Sequence, residues 1–145
     1  MSINAMPLWY TIDPDARLVT LRYEGDVTFE EWADVMCAAF RDPLFNPGFG
    51  FLADRRASPA VSTGYIRRVV TFAKAHEAEL GKCRWATVVS TPSAYGMARM
   101  TQGLGQDIKG PFEVFNDIDA ALRWLREGGT EGGGQEGGRA CGSKA

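Results

Sequence analysis

One histidine, His76, and three cysteines, Cys37, Cys83 and Cys141, are all the imidazole and thiol in this 145-residue chain. A single imidazole excludes a one-chain metal site with two histidine ligands, and it routes every Ser/His or Cys/His mechanism through His76. His76 falls late in a helical stretch and is separated from Cys83 by a helix end and Gly81. It therefore reads as a helix residue and not as a base paired with a thiol. The cysteines are odd in number, widely spaced and free of CxxC or zinc-ligand spacing, which predicts free thiols in a reducing cytoplasm. Gly103-x-Gly105 lacks the third glycine of a dinucleotide fingerprint and follows a helix instead of a strand, the reverse of what phosphate cradling requires. No phosphate-binding Gly-x-x-x-x-Gly-Lys loop and no Gly-x-Ser-x-Gly elbow occurs. The neighbouring carboxylates Glu30 and Glu31 belong to a helix N-terminus, where negative charge is favourable. These residues predict a protein that binds or regulates, is not an enzyme, and needs neither metal nor cofactor.

The richest polar constellation lies where strand ends meet helix starts. Asp54, Arg55 and Arg56 follow one apolar run, Ser62, Thr63 and Gly64 open a helix, and Ser90, Thr91 and Ser93 open another. In an open parallel sheet these ends gather on one side and receive ligands or partners. Two arginines beside two helix N-termini could hold an anion or a phosphorylated hydroxyl, with Arg55, Arg56 and Thr91 as the contacts. The same residues also read as ordinary caps beside a solvated loop.

The elements that must position them are legible in turn. Leu8, Tyr10 and Ile12 alternate with polar neighbours, as do Val19, Leu21 and Tyr23, and Asp13-Pro14-Asp15-Ala16 turns between them. Thr28-Phe29-Glu30-Glu31 is a capping box, followed by an apolar stripe of Phe29, Trp32, Ala33, Met36 and Phe40, and Asp42-Pro43 ends that helix. Residues 49–53 read as a strand covered on both faces, stopping at Asp54. A helix is expected over 62–80 with Ser62 as cap and Gly81 after its end, a strand over 84–90, and a helix from Thr91-Pro92 to about Gln102. A short strand over 112–115 and a helix capped by Asp117 complete the order β-β-α-β-α-β-α-β-α. Such alternation predicts an α/β fold: a mostly parallel sheet with an antiparallel N-terminal hairpin strand at or near its edge and helices packed on it.

The chain is 45% hydrophobic and 23% charged, with 16 Lys+Arg against 18 Asp+Glu, so it has a core and lacks the basic excess of a nucleic-acid binder. No basic cluster precedes an apolar run in residues 1–7, and the longest uncharged stretch, 85–98, is too short and polar to span a bilayer; neither a secretory signal nor a membrane span is expected. Residues 128–145 hold eight of the 17 glycines and no large apolar residue. They predict a disordered Gly-rich tail carrying Cys141 on a domain of residues 1–127.

Three stretches carry a resemblance: Tyr23-Glu24-Gly25-Asp26-Val27-Thr28 after the hairpin, the apolar strand closing on Asp54, and Phe115 followed by Ala121-Leu122-Arg123-Trp124-Leu125. With these the chain resembles STAS domains, and more closely the small bacterial SpoIIAA-like proteins often described as STAS/SEC14-like. The resemblance implies a cytoplasmic, non-enzymatic module that acts through protein contacts, as in anti-sigma-factor antagonists. There a strand ends in Asp and leads to Asp-Ser-Ser-Gly, whose second Ser is phosphorylated to break the complex. The matching stretch is Val61-Ser62-Thr63-Gly64, which puts Thr63 at the acceptor position, with Val61 in place of the Asp. It implies an anti-sigma-like or signalling protein as partner and Ser62 or Thr63 as a switch. The SEC14-like label implies an alternative, a small apolar-ligand or anion-binding carrier or sensor, its pocket near Tyr65, Trp85 and Tyr95.

Overall fold

In the computed structural model, residues 7–80, 83–104 and 110–134 are described, the last of these, 128–134, as backbone alone. The hairpin forms as β1 (Leu8–Asp13) and β2 (Leu18–Glu24), antiparallel with Leu8 opposite Tyr23 and Asp13 opposite Leu18. Its turn is fixed by the Asp13 carboxylate, which accepts from the backbone N–H groups of Asp15 and Ala16, and by Arg17 in the left-handed region at φ 55°.

α1 (Phe29–Arg41) starts as its sequence dictates. The Thr28 hydroxyl accepts from Glu31 N at 3.1 Å, and the Glu31 carboxylate accepts from Thr28 N at 2.9 Å. The stripe buries Trp32, Met36 and Ala39 against β1 and β2. The chain then enters β3 (Gly50–Ala57), α2 (Thr63–Ala75), the single turn α3 (Glu77–Leu80), β4 (Trp85–Val88), α4 (Pro92–Leu104), β5 (Phe112–Phe115) and α5 (Ile118–Gly134). The five strands lie in chain order, β1-β2-β3-β4-β5, with every pair after the first parallel. The α/β class, the parallel sheet and the antiparallel edge strand therefore stand as the sequence implies.

Three elements differ from expectation. β3 does not stop at Asp54 but runs on to Ala57, because Asp54 lies opposite Arg22 of β2 and two arginines neutralise it there. The helix expected over 62–80 is broken at His76, whose backbone leaves the helical region at φ −112° and ψ 36°. Its ring stacks on Phe72 at 3.9 Å between centroids, with Phe40 at 5.6 Å, and Nδ1 lies 3.0 Å from the Phe72 carbonyl oxygen. The imidazole is thus part of an aromatic packing cluster. The helical backbone of α5 runs on to Gly134, past Glu127. Gly81, Gly105 and residues 135–145, with Cys141, lie outside the described residues. No helix among the described residues is long and apolar enough to cross a membrane.

Topology decides which face each helix takes. Successive parallel steps in one direction, each right-handed, place α1, α2 and α4 on one face. That face carries Val19, Leu21, Phe51, Ala53 and Trp85 beneath α1 and α2, and Val114 beneath α4. α5 returns on the other face, where Ala121 and Leu125 close over Leu52, Ala86 and Val88. The Ala-Leu-x-Trp-Leu segment is a packing motif, as its spacing suggests.

Two glycines calibrate this geometry. A Cβ at Gly110 would run into the carbonyl oxygen of Cys83, whereas one at exposed Gly96 on α4 would meet nothing within 4 Å. Gly110→Ala is expected to destabilise by more than 1 kcal/mol, through forced backbone displacement, and Gly96→Ala to stabilise by about 0.5–1 kcal/mol through helix propensity. Urea unfolding midpoints of the two variants measure both signs.

Candidate functional site

β3 carries the chemistry that the sequence places at a strand end, and its alternation splits that chemistry between two faces. Asp54 and Arg56 point away from α1, α2 and α4, while Ala53 and Arg55 point toward them. Arg56 grips Asp54 with two parallel bonds, Nε to Oδ1 at 2.8 Å and Nη2 to Oδ2 at 2.7 Å, and Arg22 adds Nη1 to Oδ2 at 3.4 Å. Asp54 is only 7% exposed. The Arg56 hydrogen bonds hold its carboxyl below the usual aspartate range, against a desolvation that acts the other way. Arg56 and Arg55 therefore do not share one anion: Arg56 is committed to Asp54, and only Arg55 reaches the helix side.

At the helix starts the hydroxyls cap. Ser62 Oγ accepts from Tyr65 N at 3.1 Å, and Thr91 Oγ1 accepts from Ala94 N at 3.1 Å. Ser90 Oγ donates to the Arg56 carbonyl at 2.9 Å. Thr63 is exposed, its hydroxyl 3.8 Å from the Met100 sulfur on α4, and Gly64 beside it is exposed as well.

Between α2 and α4 the core is not continuous. Buried side chains under α1 and α2 form one cluster, and Val89, Ala94, Ala98 and Val114 form another under α4. A cavity of about 140 Å³ lies along the seam, floored by Ala53, Trp85 and Thr87, with Val70 and Ala73 on one wall and Ala98 on the other. Small residues make the space. Ala94 and Ala98 fall four apart on α4, so both bare positions face one way, and Ala73 meets them from α2. The polar groups on the floor are already engaged: Thr87 Oγ1 accepts from Trp85 Nε1 at 3.1 Å.

One end of the cavity is different. Arg55 enters it with its guanidinium 4.0 Å from the Tyr23 ring centroid and 5.7 Å from that of Tyr65. Tyr23 Oη accepts from Trp32 Nε1 at 3.1 Å. The Tyr65 hydroxyl is buried and meets no hydrogen-bonding partner among the described residues. Burial raises the pKa values of both phenols, and the Arg55 guanidinium beside them pulls against that rise. Among the described residues, no group of three His, Cys, Asp or Glu could hold a metal ion.

Tyr65 and Trp85 thus line the cavity as the aromatic reading of the sequence expects, while Tyr95 packs in the α4 cluster instead. The alanines are the residues that sequence reasoning passed over. Their only signal is the repeat of small residues at helical spacing on α4, which by itself describes close packing as well as space.

No family model matches this chain, and no curated protein does. Among solved structures it is similar to the crystal structure of an uncharacterized protein from the DUF3478 family with a SpoIIAA-like fold, from Shewanella loihica PV-4. The two superpose with a TM-score of 0.59 over 86% of this chain and 98% of that chain, at 18% identity. At that identity the likeness is one of fold, and the fold is SpoIIAA-like, as the sequence resemblance implies.

The Asp54 clamp sets a pH dependence. A carboxyl whose folded pKa is lowered contributes stability that is full above its unfolded value, near 3.8, and that is lost as pH falls through the folded value. Asp54→Asn is expected to cost about 1–3 kcal/mol at neutral pH by leaving Arg56 and Arg22 without their partner. The gap between the two proteins should narrow below pH 3.8, measured by urea unfolding from pH 7 to pH 2.

Proposed function

We propose that this SpoIIAA-like domain acts by binding and not by catalysis, and that what it binds is a small apolar molecule held between α2 and α4. The observation that carries this reading is the partly open apolar cavity of about 140 Å³ between the two helices. An apolar cavity of similar volume takes up a benzene-sized guest. A carrier or sensor of such molecules needs an internal space, whereas a surface that only docks on another protein has no use for one. His76 supports the non-enzymatic side, since its ring is packed against Phe72 and Phe40.

Neutral probes test the cavity without engaging Arg55. Toluene and 1-octanol are expected to raise the Tm of the full chain by a few degrees, as ligands that bind only the folded state do. Ala98→Phe, which fills the space from α4, should abolish that shift while leaving a cooperative transition, and Ala73→Leu should do the same from α2. A wild-type Tm indifferent to both probes, or one that responds equally in the filled variants, would sink the reading.

A second reading has its own observation. Thr63 is exposed at the first turn of α2 with its hydroxyl beside Met100, itself 40% exposed, on the rim of the same seam. A phosphoryl group there would add charge and bulk at a surface formed by two helices, the means by which such modifications alter protein contacts. In this reading the domain is a switch for an anti-sigma-like or signalling partner, with Thr63 as acceptor and Ser62 holding the helix start. Intact mass and peptide mapping of the protein from its native cells should show a phosphate on Thr63. A bare Thr63 in cells grown across conditions rules the switch out.

A further inference from the structure

Resting on the cavity reading, we propose that the ligand is an amphipathic monocarboxylate whose head is bound by Arg55 and Tyr65 and whose tail, a ring or chain of about six to eight carbons, fills the space between α2 and α4. Three observations converge at one end of an otherwise apolar cavity. The first is a half-buried cation with no acidic partner. Arg22 and Arg56 share Asp54 and Arg68 holds Glu30, while among the described residues no carboxylate lies against Arg55. Its guanidinium instead lies 4.0 Å from the Tyr23 ring centroid and 5.7 Å from that of Tyr65. The second is the buried Tyr65 hydroxyl without a hydrogen-bond partner, a deficiency that folded proteins rarely tolerate and that an acceptor on a ligand would relieve. The third is size: a partly open space of about 140 Å³ takes a short tail.

The charge is matched as well as the shape. A planar guanidinium binds a carboxylate edge-on through two parallel bonds, and the phenol supplies a third donor to the same oxygens. A cationic head would be placed against Arg55 and repelled.

Sodium octanoate, 1-octanol and octyltrimethylammonium share a tail and differ in head, so titrating each into the full chain by calorimetry at pH 7 isolates the head site. Octanoate is expected to bind at least about ten-fold more tightly than 1-octanol, the factor that one charge-assisted pair supplies. Arg55→Met keeps the length and apolar bulk of the side chain, and should erase that preference while retaining 1-octanol binding. Tyr65→Phe should weaken octanoate several-fold and leave 1-octanol unchanged, and it keeps the test alive if Arg55→Met does not fold. Equal binding of octanoate and 1-octanol to the wild type, a preference that survives Arg55→Met, or tightest binding of octyltrimethylammonium would overturn the carboxylate assignment and leave the apolar cavity standing. Binding of none of the three would remove the cavity reading and this proposal together.

Discussion

Because β2, β3, β4 and β5 follow one another in the sheet as they do in the chain, each connection steps the same way, and right-handed steps in one direction deposit their helices on the same face. Three helices must then share that face, and their spacing is set by the strands beneath them. α1 meets α2 through large aromatic side chains: Trp32 and Phe72 lie 5.0 Å apart, and Phe29 packs on both Tyr65 and Phe72. α2 meets α4 through Ala73, Ala94 and Ala98 across the cavity. Smaller side chains line the seam between α2 and α4, and the cavity lies along it. The fold thus fixes where a gap can form, and residue size decides that it forms between α2 and α4.

The period of two along β3 does the rest. Had Asp54 pointed to the helix face, Arg55 would have pointed away from it, and the cavity would end on a carboxylate held by no arginine. As it stands, the strand exports its acid and one of its bases to the open face, where Arg22 supplies the second cation across the ladder. It keeps the other base for the interior end of the cavity. A desolvated carboxylate is tolerable on that open face because Arg56 meets both of its oxygens. The same alternation leaves Arg55 against Tyr23 and Tyr65.

How much of this was legible in the sequence depended on the range of the interaction. Local chemistry was readable: Thr28 with Glu31, Ser62, Thr91 and Asp117 all cap where their spacing puts them, because a cap is decided within four residues. The alternation of the hairpin and the packing role of Ala121, Leu122, Trp124 and Leu125 were readable for the same reason. The course of β3 past Asp54 was not, since it depends on Arg22, 32 residues away in the chain. Nor was the contact of His76 with Phe40, which lies on α1. Least visible was the cavity, because it consists of atoms that are missing. Alanines at helical spacing read as good helix formers until the helix opposite is seen to carry small residues too.

An internal void and a thin helix support belong together. Under α1 and α2 the core holds Phe51, Leu21, Met36 and Trp32, but under α4 the buried residues are Val89, Ala94, Ala98 and Val114. Apolar area buried sets how firmly an element is held, and α4 buries only Ala94 and Ala98 where α1 buries Trp32 and Met36 and α2 buries Ile66 and Val70. A guest in the seam touches α2 and α4 at once and adds to α4 the contacts its own side chains do not make. Its binding free energy is then expressed locally, as firmer docking of one helix, as well as in the stability of the whole. Met100 and the exposed Thr63 hydroxyl lie where those two helices meet at the surface. The outer rim of the seam is therefore the place where occupancy of the interior changes what another molecule would see.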